Sequence, residues 1–144
     1  MIEKDTVRLL RECDAGVKMG ISSINEVLNY AKSGQLREIL NDCKNTHTDL
    51  EAEITNELTR YGDDGKSPNP IARGMSYMKT EGKLMMSDSD KTVADLMTDG
   101  CNMGVKSLSK YLNQYKAADE KSKDIAKRLI SSEEELAKSV RGFL

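Results

Sequence analysis

His47 is the only histidine in the chain, and it lies on an apolar helical seam. That seam reads Leu36, Leu40, Cys43, His47, Leu50, Ile54 and Leu58, with steps of four, three, four, three, four and four. Such spacing puts all seven on one face of a helix. Glu51 follows one turn after His47, and "SEEEL" at 132–136 offers Glu133 and Glu134 from a distant segment. Imidazole and carboxylates brought together suit iron and other divalent metals. His47, Glu133, Glu51 and Glu134, with Cys101 as a thiol alternative, are therefore the candidate ligands of an atypical metal site. A dinuclear centre inside a helical bundle takes a Glu from each of two helices and a Glu-x-x-His from each of the other two. Here Lys44 stands three residues before His47, and Ile130 stands three before Glu133. The dinuclear set is incomplete. No resident cofactor is expected, and the alternative is iron or another divalent metal. Without a metal, His47 needs a partner such as Glu133 or Glu51, because an unpaired buried polar group costs about 1–3 kcal/mol.

Nucleophilic chemistry has a weaker basis. Cys13, Cys43 and Cys101 are widely spaced and contain no CxxC. They read as small buried residues of a reducing compartment rather than as a disulfide frame or zinc site. Cys43 lies four residues before His47 on one helix face, but the sequence assures no third group to orient the imidazole. No catalytic residue is assigned.

The elements that position these residues are helical. A first helix is expected from about Lys4 to Ala31, with Leu10, Cys13, Val17, Ile21, Ile24, Leu28 and Ala31 at helical spacing. "KSG" at 32–34 is a short turn, so a second helix, from about Gln35 to Tyr61, should return antiparallel. "GDDGKSPNP" at 62–70 breaks it. A shorter helix is expected over 71–86. "SDSD" at 87–90 offers an N-cap for a helix over about 91–116, and Asp119 or a neighbour caps a last one running to about Gly142. No alternating Val/Ile/Thr run suggests a strand.

Two segments are nearly the same. "GVKMGISSINEVLNYAK" at 16–32 and "GCNMGVKSLSKYLNQYK" at 100–116 align with an offset of 84, so that Gly16, Met19, Gly20, Ser23, Leu28 and Asn29 match Gly100, Met103, Gly104, Ser107, Leu112 and Asn113. Duplication of a helical hairpin explains this, since two hairpins bury each other's apolar stripe. With an offset of 86, the second-arm seam carries His47 onto Glu133. Those two residues should then meet across the core. Gly16, Gly20, Gly100 and Gly104 fall at about the same level. They allow either close helix–helix packing or a cavity facing His47 and Glu133.

The expected fold is all-α: one domain of two duplicated hairpins, at about 4–61 and 91–142, joined by a long crossover at 62–90 that carries the short helix. This is the ferritin-like up-down pattern. Beyond topology, "ADLMTDGCNMGVKSLSKYLNQYKAADEKSKDIAKRLI" at 94–130 and "NPIARGMSYMKTEGKLMM" at 69–86 resemble a family of uncharacterised ferritin-like proteins from anaerobic Gram-positive bacteria. The resemblance covers nearly the whole chain and implies the fold, but no activity.

Composition narrows the function classes. The 22 basic and 24 acidic residues nearly cancel, which leaves no basic field for a phosphate backbone. There is no Trp and one Phe, too few aromatics for base stacking. No apolar run would span a bilayer, and the charged N-terminal stretch has no signal-peptide core, so a cytoplasmic location is expected. Met75, Met78 and Met85 give the crossover helix an adaptable apolar side, suited to a homodimer or an unknown protein partner. The leading expectation is a non-enzymatic ferritin-like bundle with a structural, regulatory or binding role. The alternative is a metal-binding protein or oxidoreductase with an atypical site near His47 and Glu133.

Overall fold

The computed structural model describes residues 2–66 and 90–144. The crossover helix expected over 71–86, with Met75, Met78 and Met85, lies outside these residues. Four long helices carry the described chain: α1 (Ile2–Leu28), α2 (Gly34–Arg60), α3 (Asp90–Gln114) and α4 (Glu120–Ser139). A short 3₁₀ turn, Arg141–Phe143, follows α4. Among the described residues there is no strand, and no helix is long and apolar enough to cross a membrane.

The helix ends follow from local chemistry. Ser33 caps α2 by accepting from the Leu36 N–H at 3.3 Å, and Asp119 caps α4 by accepting from the Ser122 N–H at 2.8 Å. Both satisfy one of the amide donors that a helix start leaves unpaired. α1 stops three residues earlier than the apolar spacing predicts. There Arg37 donates to the carbonyls of Leu28 at 2.6 Å and Ala31 at 3.2 Å, so a cation serves the last acceptors and the chain turns. Asp90 is the first residue of α3 rather than its cap. Its carboxylate accepts from the amides of Lys32 at 2.7 Å and Ser33 at 3.0 Å instead.

Those contacts fix the topology. Asp90 pins the start of α3 to the α1–α2 turn. At the other end, Asp5 and Thr6 of α1 accept from the amides of Ala117 and Asp119 in the α3–α4 turn, at 3.0 and 2.8 Å. α3 therefore runs antiparallel to α1, and α4 runs parallel to α1. α1 packs on α2, α3 and α4, while α4 also packs on α2 and α3. Three neighbours explain why α1 buries a stripe wider than expected: Leu9 and Val27 are fully buried alongside Leu10, Cys13, Val17 and Ile24, while Ile21 and Leu28 are only partly covered.

After α2 the chain folds back on α1. Arg11 pairs with Asp63 at 2.8 Å, and the Lys66 amide donates to Asp14 at 2.9 Å. Gly65 takes φ +90, and a Cβ there would stand 2.3 Å from an Asp14 oxygen, so this turn needs glycine.

The core is divided. One apolar cluster, near the α1–α2 turn, gathers Ile24, Val27, Leu36, Leu40, Val93, Met97, Leu136 and Val140. The other, towards the opposite end, gathers Leu9, Leu10, Val17, Leu50, Ile54, Leu58, Ile125 and Leu129. Between them in sequence, on α2 and on α4, stand His47 and Glu133.

Candidate functional site

α2 and α4 each contribute one polar residue to the interior at this level. Leu40, Cys43, Leu50 and Ile54 bury the seam of α2, and His47 occupies the position that helical spacing leaves on the same face. On α4, Ile125, Ala126, Leu129 and Leu136 do the same for Glu133. His47 is 0% exposed and Glu133 is 8% exposed.

The two side chains meet. His47 Nε2 lies 2.9 Å from Glu133 Oε1, and Nδ1 lies 3.1 Å from the Cys43 carbonyl oxygen. Each ring nitrogen thus faces an oxygen that accepts, the arrangement that suits an imidazolium. Ser132 Oγ at 3.2 Å and Cys43 Sγ at 3.5 Å complete the surroundings of Nδ1. Burial works against the charge. The hydrogen bonds to Cys43 and Glu133, and the charges of those groups, outweigh it and push the His47 pKa up to about 10. Glu133 also takes up the Cys101 thiol of α3. Burial first, and the neighbouring Glu133 carboxylate second, push that thiol upward. Burial, with Glu12 and Asp14 beside it, pushes Cys13 up to about 12.

The glycines divide by function. A Cβ on Gly20 would stand 2.8 Å from His47 Cδ2 and 2.9 Å from Nε2, and one on Gly104 would stand 3.4 Å from Glu133 Cδ. α1 thus gives up a side chain to admit the imidazole, whereas a Cβ on Gly104 would make only ordinary contact with the carboxylate. At Gly20 and Gly104 the layer therefore holds polar side chains rather than backbone packed on backbone. Gly16 would make only ordinary contacts, 3.9 Å from Leu108 and 4.0 Å from Leu129, and Gly100 faces open space. Gly20→Ala is therefore expected to destabilise the protein by about 1–3 kcal/mol through overpacking, despite the better helix propensity of alanine. Gly100→Ala is expected to stabilise it by about 0.5–1 kcal/mol. Urea unfolding of the two variants beside the wild type checks both signs, and a stabilising Gly20→Ala would show that the ring is not held where it is described.

Of the four predicted site residues, the structure brings together His47 and Glu133. Glu51 is half-buried and makes no hydrogen bond or ion pair to the ring, and Glu134 is exposed. Among the described residues, no group of three or more His, Cys, Asp and Glu side chains is arranged to hold a metal ion. Ser132 was not foreseen. It precedes Glu133 in a charged helical stretch, and no spacing rule singles it out.

Outside this layer, ion pairs tie α2 to α4. Arg128 meets Glu53 with two hydrogen bonds, at 2.7 and 2.8 Å, and Lys121 meets Glu57 at 2.9 Å. The Arg128 bond holds Glu53 below its usual range, and the Lys121 bond does so for Glu57. An open groove of about 780 Å³ runs between the same two helices. Cys43 and Ser132 line it, with Asp42, Asp49 and Glu135 among its acidic residues.

Comparison of the chain with protein-family models, with curated proteins and with solved structures finds no match.

Proposed function

We propose that this chain is a non-enzymatic ferritin-like bundle that lacks the di-iron ligand set, and that its role is structural, regulatory or binding. The closure of His47 carries this reading: Nε2 is taken by Glu133, and Nδ1 by the Cys43 carbonyl with Ser132 and Cys43 Sγ beside it. A metal would have to displace a hydrogen bond that already satisfies a buried charge. The residues do not fit a di-iron centre either. At Gly20 and Gly104, where carboxylates of α1 and α3 would have to stand, the space is filled by the His47 ring and the Glu133 carboxylate. The duplicated-hairpin origin and membership of the ferritin-like family of anaerobic Gram-positive bacteria belong to the same proposal. The pairing of His47 with Glu133, at positions the proposed register matches, supports the duplicated hairpins, and the family rests on the sequence resemblance.

The three buried free cysteines support the cytoplasm as its location. A homodimer, or a protein partner reached through Met75, Met78 and Met85, rests on the sequence alone.

The test is metal content. The protein is prepared without a His tag, loaded anaerobically with Fe(II), Mn(II) or Zn(II), freed of unbound metal and assayed by elemental analysis, with His47→Ala in parallel. No retained metal is expected. Near-stoichiometric metal that is lost in the variant would establish the alternative, an atypical metalloprotein built on His47 and Glu133.

A further inference from the structure

Cys43 and His47 form the start of a nucleophile–imidazole pair in sequence, and the fold supplies the third member. Cys43 Sγ lies 3.5 Å from His47 Nδ1, and His47 Nε2 lies 2.9 Å from Glu133 Oε1. Thiol, imidazole and carboxylate therefore stand in line, with the ring oriented from behind as nucleophilic sites require. Ser132 Oγ, 3.7 Å from the sulfur, offers a hydroxyl to the same atom. Cys43 and Ser132 both line the α2–α4 groove, which opens this end of the line to solvent. Neither of the other cysteines has these features. Cys13 is fully buried with carboxylates beside it, and Cys101 faces the Glu133 carboxylate.

We propose that Cys43 is a reactive thiol, set against the His47 imidazolium and open through the α2–α4 groove to small uncharged electrophiles such as hydrogen peroxide. The inference rests on the closed His47–Glu133 pair of the preceding reading and adds a modification site to it. The positive ring stabilises negative charge on the sulfur as the nucleophile forms. With peroxide, the sulfur attacks one oxygen, an S–O bond forms and the O–O bond breaks. The thiol proton passes to solvent as the nucleophile forms, and the leaving hydroxide takes a proton back from solvent to become water. The sulfur is oxidised by two electrons to the sulfenic acid, and the peroxide is reduced. Size and charge restrict what enters. Cys43 is 8% exposed, so the electrophile must be small. Asp42, Asp49 and Glu135 place negative charge along the groove, while Arg128 at its other end is held by Glu53 and Asp124. Anions are therefore disfavoured.

The test is cysteine mapping by mass spectrometry on the native protein. Iodoacetamide at neutral pH is expected to label Cys43 at least about tenfold faster than Cys13 or Cys101. Iodoacetate, the same electrophile with a negative charge, should fall behind iodoacetamide at Cys43 by more than it does with free cysteine. Hydrogen peroxide with dimedone should give one adduct, on Cys43. His47→Gln keeps a donor towards Glu133 but removes the charge, and it should slow Cys43 labelling about tenfold. Equal labelling of the three cysteines, or a Cys43 slower than the others, would overturn the inference without recourse to any variant. Metal assay of the same sample separates the two readings: metal-free protein with an inert Cys43 overturns this inference alone, and metal-bound protein overturns the closed pair beneath it.

Discussion

Glu133→Ala is expected to lower unfolding stability by about 3–5 kcal/mol, the usual result of removing one partner from a buried ion pair. The imidazolium would be left 0% exposed, with the Cys43 carbonyl as its one remaining fixed acceptor and with Ser132 and Cys43 Sγ beside it. It escapes the full penalty only by giving up its proton. The pair itself is a different matter. Two charges taken from water into a helical interior gain back little more than their desolvation. Replacing both, as His47→Leu with Glu133→Leu, is therefore expected to leave stability within about 1 kcal/mol of the wild type or to raise it. Urea unfolding of His47→Leu, Glu133→Leu and the double variant measures the coupling. Additive losses would show that the two side chains do not depend on one another.

Stability should also fall as the solution becomes alkaline. The folded His47 holds its proton to about pH 10, against an ordinary value of 6.5 in the unfolded chain. Its contribution is therefore complete below pH 6.5, declines between 6.5 and 10, and is absent above. The slope for one proton is about 1.4 kcal/mol per pH unit. Above the ordinary thiol value of 9.0, Cys13 and Cys101 add to the loss, because both stay protonated in the fold and ionise when it opens. The interval from pH 7 to 9 therefore lies below the onset of the Cys13 and Cys101 loss. Unfolding curves taken across it should slope for the wild type and lie flat for the double leucine variant. A flat wild-type curve would mean that His47 is neutral in the fold.

The sequence carried the helices and the layer, but not the details within the layer. Spacing of Leu36, Leu40, Cys43, Leu50 and Ile54 put His47 inside, and the register between the two halves put Glu133 at its level. The first statement depends on helical periodicity alone, and the second on aligning the seams of the two hairpins. Gly16 and Gly20 looked equivalent, and they are not: a Cβ on one stands 3.9 Å from its nearest neighbour and on the other 2.8 Å. Gly16 faces Leu108 and Leu129 whereas Gly20 faces the His47 ring, a difference set by the packing of all four helices and not by residue order. Ser132 escaped notice for the same reason, since its approach to Nδ1 depends on how α4 is turned. α1 ends before its apolar spacing does because Arg37 acts across the turn, from a position that spacing assigns to the solvated face.

Each hairpin brings half of the His47–Glu133 pair, and this bears on which hairpins can dock. Both present an apolar stripe, and both place a glycine opposite a polar residue, so on shape alone a hairpin could pair with a copy of itself. Two first hairpins would bring imidazolium against imidazolium, and two second hairpins carboxylate against carboxylate. Like charges confined in an apolar interior oppose such assemblies, whereas the mixed assembly neutralises itself. The pair thus acts as a sorting device during folding and during any exchange of hairpins between chains. A swapped dimer, which retains one first and one second hairpin in each bundle, passes that filter, and dimers of like halves do not.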